Sequence, residues 1–302
     1  DLWNDHKEEL HTQLFVNTLN VLEGKHARKD PSVLKNAYTE IEVEGVPQNE
    51  LIEHLDQVPE RYFSHAGKEE VALHVDMVHR FAHNGNNSGK PILSWRNDVR
   101  RTLTIVDIVT RDRPALFEKI AGGFSVAGLN ILGARAVTRK DGIAIDVFYV
   151  EGEKGGIVND AKTRALCESS IHDFLENETS PDQLIKERRK KTDNNRPFSN
   201  EDRLGERIPP SVDVYHDVSL GRIIVEVRAS DQVGLLHLIA KTISRCGFSI
   251  QFARVATEQG IATDIFNIEK STDGKKFSPS QFLQLREELS ESLNAGKYYL
   301  EV

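Results

Sequence analysis

Asp112-Arg-Pro-Ala-Leu-Phe117 returns 119 positions later as Asp231-Gln-Val-Gly-Leu-Leu236. Gly128-Leu-Asn-Ile131 is answered by Gly247-Phe-Ser-Ile250, Ala134-Arg135 by Ala253-Arg254, and Thr138 by Thr257. One residue then drops out of a turn, after which Gly142-Ile-Ala-Ile-Asp-Val-Phe148 matches Gly260-Ile-Ala-Thr-Asp-Ile-Phe266. Self-similarity at a fixed offset means one architecture built twice. Its elements are legible in the first copy. Leu103–Val109 is a strand by its β-branched content, and Leu116, Ile120, Phe124 and Ala127 fall on helical spacing until Gly128. Asn130–Thr138 and Ile143–Val150 read as strands joined at the turn Lys140-Asp141-Gly142, and Asn159–Leu175 as a helix.

Each copy therefore reads strand, helix, strand, strand, helix, and Tyr298–Val302 supplies a closing strand for the second. That order, βαββαβ, predicts an α+β protein made of two tandem ferredoxin-like units. Upstream, Leu2, Leu10, Leu14, Phe15, Leu19, Val21 and Leu22 predict a helix between Asp1 and Gly24. Further helices are expected over Val33–Val43, from Pro47 through Val58, and over Lys68–Phe81, before the turn-rich Asn84–Gly89. Residues 176–210 are polar and charged and read as a linker or long loop, Arg188-Arg189-Lys190-Lys191 being a solvated run. The expected division is a helical connector over 1–90, one unit over 91–185, a charged linker over 186–215, and the second unit over 216–302.

At 302 residues the chain has room for two domains and an appendage. Lys and Arg total 39 against 47 Asp and Glu, a balance that argues against a nucleic-acid binder held by charge. Two cysteines, Cys167 and Cys246, exclude a disulfide framework and suit a reducing cytoplasm. No apolar run approaches the roughly 18 residues of a membrane span, so no membrane is expected as a partner. The chain opens at Asp1 and its one methionine is Met77, which suggests a piece of something longer.

The turn after the first strand of each repeat is where chemistry is expected. Asp231 is placed to cap the helix carrying Leu235 and Leu236, and Gly234 leaves the main-chain N–H groups open to a ligand. Those donors suit a carboxylate, and Asp231 suits an ammonium group, so the turn can read both ends of an amino acid. The same residues also describe an ordinary capped turn.

The whole pattern, from the Asp-x-x-Gly/Ala-Leu turn to the Gly-Ile-Ala-x-Asp-x-Phe strand, resembles the ACT domain, a regulatory module that binds amino acids between paired copies. The resemblance covers about 101–176 and 221–302. It implies that Asp231, Gln232, Val233, Gly234 and Leu235 with Ser249 and Ile250 line one half-site. Asp112, Arg113, Pro114, Ala115 and Leu116 with Asn130 and Ile131 would line the other, and Ala115 departs from the pattern by standing where the glycine is expected.

A narrower resemblance rests on Asp1-Leu-Trp-Asn4, Arg61-Tyr-Phe63, Glu69-Glu-Val-Ala-Leu-His74 and Gly260-Ile-Ala-Thr-Asp264. These resemble the stretch beyond the HD domain, the helical connector and the tandem ACT domains of the protein-PII uridylyltransferase/uridylyl-removing family. That resemblance implies a C-terminal regulatory region sensing glutamine, in the cytoplasm, within an enzyme that modifies the PII signalling protein and needs Mg²⁺ elsewhere. It leaves open whether ACT units pair within one chain or as a homodimer. It also leaves open a module that only dimerises or docks a partner.

Several short segments imitate catalytic constellations without completing one. Gly122-Gly-Phe-Ser125 imitates a nucleotidyltransferase turn but lies inside a helix, and Asp146-Val-Phe148 offers one carboxylate where two are needed. His172-Asp173 and His216-Asp217 are bare dipeptides, and Gly85–Pro91 falls short of a phosphate loop. His79 and His83, four apart on a helix, could share a metal, but the sequence shows no third ligand near them. No catalytic residue, metal ligand or cofactor is therefore expected in this chain.

Overall fold

The computed structural model describes residues 31–64, 66–83, 89–177, 179–195, 208–217, 222–270 and 279–298. The helix expected between Asp1 and Gly24, most of the Asn84–Gly89 loop, and residues 299–302 lie outside them. Among the described residues no helix is long and apolar enough to cross a membrane. The chain forms two compact units, one holding the described residues up to His83 with Arg139–Asp141, the other the remainder.

The first unit consists of α1 (Pro31–Tyr38), α2 (Gln48–Gln57), a 3₁₀ turn (Glu60–Ser64) and α3 (Lys68–His83). Helix α1 ends earlier than expected. Thr39 Oγ1 donates to the Asn36 carbonyl (2.8 Å), and the β-branched Thr39, Ile41 and Val43 disfavour a further turn. Leu51, Leu55, Val71, Val75, Met77 and Phe81 form the apolar interior. Two aromatic residues of the 3₁₀ turn complete it, Tyr62 bonding His74 Nδ1 at 2.8 Å and Phe63 stacking on Tyr38.

The second unit is one antiparallel eight-stranded sheet with helices. The first repeat supplies β1 (Ile92–Asp98), β2 (Leu103–Arg111), α4 (Leu116–Ala127), β3 (Asn130–Thr138), β4 (Ile143–Glu151) and α5 (Ala161–Glu176). After α6 (Asp182–Asn195) the second supplies β5 (Ser211–Asp217), β6 (Arg222–Ser230), α7 (Leu235–Arg245), β7 (Phe248–Glu258), β8 (Ile261–Lys270) and α8 (Pro279–Tyr298). The strand order β1-β2-β4-β3-β7-β8-β6-β5 sets the repeats side by side, joined where β3 pairs with β7.

The ferredoxin-like architecture is as expected, but the order along the chain is ββαββα. The edge position beside β2 is taken by β1 from upstream, with Ile92 opposite Val109. In the second repeat β5 takes it, with Ser211 opposite Arg228, and Tyr298 belongs to α8. A short hairpin reaches that edge at less entropic cost than a chain returning past a helix.

One apolar core runs through both repeats. Phe124 lies 5.0 Å from Phe148, ring centre to ring centre, with Ile120 and Ile171 around them, and Phe266, Ile239, Ile243 and Leu285 occupy the second half. The stretch read as a linker contains helix α6. Most of its residues are charged or polar, and of its two adjacent aliphatics Ile185 is buried while Leu184 is 42% exposed. One buried anchor leaves too little periodicity to announce a helix.

Candidate ligand sites at the helix pair

Both β–α turns share one backbone geometry. Asp112 and Asp231 donate their main-chain N–H to the Gly142 and Gly260 carbonyls, at 2.9 and 2.8 Å. The residue capping each helix is left-handed: Ala115 at φ 62° and Gly234 at φ 78°. The cap therefore falls three residues beyond Asp231, and no side chain completes it. Asp112 and Asp231 are exposed, and neither side chain caps its helix.

Beneath each of these aspartates lies a second carboxyl group. Asp146 in β4 and Asp264 in β8 occupy equivalent repeat positions, 3% and 1% exposed. Burial first, and then the charge of Asp112 or Asp231, pushes each carboxyl up to about 8. Each therefore stays mostly protonated at neutral pH, and one Asp264 oxygen is buried with no hydrogen-bond partner. Sequence reading passed over both as active elements. The available signal was an acidic residue repeated at the same place in the Gly-Ile-Ala-x-Asp-x-Phe strand of both copies.

The structure regroups the expected site residues. Asn130 pairs with Glu151, whereas Arg111, at the mouth of the first turn, pairs with Ile143 at the opposite end of the sheet. Ser249 likewise pairs with Glu269, far from the Ser230–Ile261 pair beside Asp231. Antiparallel pairing of Gly133 with Arg254 carries the start of β3 toward the end of β7, where the second turn sits. Asn130 and Ile131 thus belong with Asp231–Leu235, and Ser249 and Ile250 with Asp112–Leu116. Bulges between Ile131 and Gly133 and between Ile250 and Phe252 bend both strands at matching places.

The two half-sites differ in what covers them. Helix α6 lies over the one built by the second turn. A Cβ at Gly234 would come within 2.5 Å of Ile185 Cγ2, and Arg189 Nε donates to the Val233 carbonyl at 2.6 Å. Arg188 stands against Gly128, just before Asn130, and pairs with Glu153 at 2.8 Å. Beside it, a cleft of about 470 Å³ is lined by Gly128, Glu153, Asn159, Lys162 and Arg188, among others.

The start of α6 is pinned by charge. Asp182 bonds Lys241 and accepts from His237 Nε2 at 3.0 Å, while His237 Nδ1 bonds the Glu118 carbonyl at 3.0 Å. Contacts at both ring nitrogens of His237 tie α4, α6 and α7 together. Partial burial would raise the Asp182 carboxyl, but bonds from Lys241, His237 and Ser180 draw it well below the usual range.

Among the described residues the other half-site is more open. Arg113 reaches the Leu175 carbonyl at 2.6 Å, Asp112 is exposed, and Ser249 is half-buried. A Cβ on Gly247, the counterpart of Gly128, would meet open space.

No family model matches the chain. Among curated proteins it is 25% identical over 300 residues to the bifunctional uridylyltransferase/uridylyl-removing enzyme of Rhodospirillum rubrum, covering 97% of this chain and 30% of that enzyme. It is 29% identical over 238 residues to the enzyme of that name from Caulobacter vibrioides, covering 78% of this chain and 24% of the relative. To that of Phenylobacterium zucineum it is 28% identical over 287 residues, covering 93% and 29%. The chain thus spans between about a quarter and a third of the length of the curated relatives it matches. A solved structure of an unknown protein from Galdieria sulphuraria matches at 12% identity, 64% and 91% coverage and a TM-score of 0.20, which carries no weight for the fold.

Proposed function

For a chain related along nearly its whole length to bifunctional uridylyltransferase/uridylyl-removing enzymes, we propose a regulatory region of such an enzyme that senses an amino acid, with glutamine as effector. The observation that carries this reading is the β3–β7 pairing, which sets each β–α turn beside the first residues of the other repeat's strand. Two ACT units paired within one chain supply the interface such modules use, with no second copy required. Nucleotidyl transfer to PII, its Mg²⁺ requirement and the reverse hydrolysis belong to the parent enzyme outside these residues, in the cytoplasm.

The open half-site is the one we assign to glutamine. Main-chain N–H groups at the start of α4 face the α-carboxylate, Asp112 accepts from the ammonium group, and Ser249 closes the site from β7. Glutamine bridging the repeats favours one arrangement of them, and a tenfold preference contributes about 1.4 kcal/mol of coupling to whatever the region controls.

Calorimetry of the folded chain with glutamine, glutamate and serine tests the reading. A saturable heat with glutamine, lost in Asp112→Ala and kept in Asp231→Ala, is the expected result. No heat with any of the three would sink it. A second reading, a docking module without a small-molecule ligand, is favoured by α6 lying on the Gly234 half-site, and predicts that silent outcome.

A further inference from the structure

Helices α2 and α3 of the first unit bring together three metal-ligating side chains that sequence spacing left one short. His79 and His83 share a face in the last turn of α3, and Glu50, in the first turn of α2, lies against both. Glu50 Oε2 is 2.7 Å from His79 Nδ1, and Glu50 Oε1 is 3.8 Å from His83 Nε2. One donor atom from each of the three lies within 4.8 Å of the others. We propose that Glu50, His79 and His83 form a divalent transition-metal site of the zinc type that clamps α2 to α3.

Three features argue for a built site. Ligands about 2.0–2.1 Å from a tetrahedral zinc stand roughly 3.3 Å apart, and the Glu50–His79 and Glu50–His83 separations bracket that spacing. The Nδ1–H of His83 donates to the His79 carbonyl at 2.9 Å, which orients the ring and turns Nε2 toward Glu50. The two imidazole ring centres lie 4.3 Å apart with their planes tilted by 34°, which keeps both rings beside the Glu50 carboxylate.

The donor set selects the ion. Two imidazoles and one carboxylate suit zinc and its borderline neighbours, whereas Mg²⁺ and Ca²⁺ prefer oxygen throughout. His83 is 59% exposed in its side chain and Glu50 25%, so the fourth position opens to water. The site is independent of the ligand site in the second unit. Without an ion, the Glu50–His79 contact is an ordinary surface pair that contributes little to stability.

Titration of the metal-free chain with Zn²⁺, and separately with Co²⁺ followed by its visible absorption, tests the proposal. One equivalent of Zn²⁺ should bind, Co²⁺ should show the intense band of a four-coordinate ion, and His83→Ala should weaken both at least tenfold. Since that side chain is mostly exposed, the variant should keep its fold by circular dichroism. Glu50→Gln should weaken binding similarly, whereas Glu53→Gln, on the same helix, should not. No stoichiometric binding, or binding unchanged in both His83→Ala and Glu50→Gln, overturns the proposal.

Discussion

Replacing Gly234 by alanine puts two separable penalties on one atom. The residue is held at φ 78°, where a side chain costs about 1–2 kcal/mol in an L-amino acid. Its new Cβ would lie 2.5 Å from Ile185 Cγ2, on a buried side chain, and overpacking of that kind costs about 1–3 kcal/mol. Some of that contact relaxes if Ile185 rotates, so the expected total is about 2–4 kcal/mol. Urea unfolding of the intact chain reads it as a lower midpoint. Ile185→Ala removes the colliding methyl, so the double variant should be more stable than the two separate losses predict, by about 1–2 kcal/mol. The left-handed penalty survives in both. A Gly234→Ala cost under about 1 kcal/mol, or strict additivity with Ile185→Ala, would refute both the α6 placement and this reasoning.

The first repeat supplies the reverse experiment: Ala115→Gly relieves a left-handed alanine and, after the extra chain entropy of glycine, should stabilise by about 0.5–1 kcal/mol in the same urea assay. For Asp146 and Asp264 the folded carboxyl stands at about 8 against 3.8, so their contribution is full below pH 3.8 and is lost as pH rises through 8. Asn at either position does not titrate, so between pH 4 and 8 the wild type should lose stability relative to each variant, by at most about 1.4 kcal/mol per pH unit, and parallel profiles would count against the buried carboxyls. Cys167 is fully buried, its thiol pushed up by burial and by Glu168, whereas Cys246 is partly exposed. An aromatic disulfide reagent should therefore titrate one thiol in the native chain and two in denaturant.

Much of the fold was legible because the repeat doubled every signal. A single Asp-x-x-Gly turn is commonplace, but paired with a Gly-Ile-Ala-x-Asp-x-Phe strand and repeated at a near-constant offset, it marked a unit of three strands and two helices built twice. The direction from which the edge strands arrive was not legible. Nothing local in Ile92–Asp98 says whether that segment pairs with β2 or elsewhere, and that choice separates ββαββα from βαββαβ. How strand starts and turns group was not legible either. Which strand start faces which turn depends on the β3–β7 register, a contact between segments more than a hundred residues apart. The third metal-site ligand was hidden for the same reason: Glu50 meets His79 only when α2 folds against α3. Helix α6 was missed because it docks with one buried isoleucine and a set of charges, a pattern that composition assigns to solvent.

The leading position of the edge strand has a consequence for how a ligand would compete. Because each repeat ends on a helix, the chain leaves α5 within the helical layer, and only residues 177–181 separate it from α6. A segment on so short a tether faces its docking groove at an effective concentration on the order of millimolar, without diffusing to find it. A free metabolite seeking the Gly234 turn would compete with that standing local supply, so its apparent affinity would follow the strength of the Asp182, Ile185 and Arg189 contacts as much as its own. A cut in the 177–181 connection would sharpen the response there while leaving every residue around Gly234 unchanged.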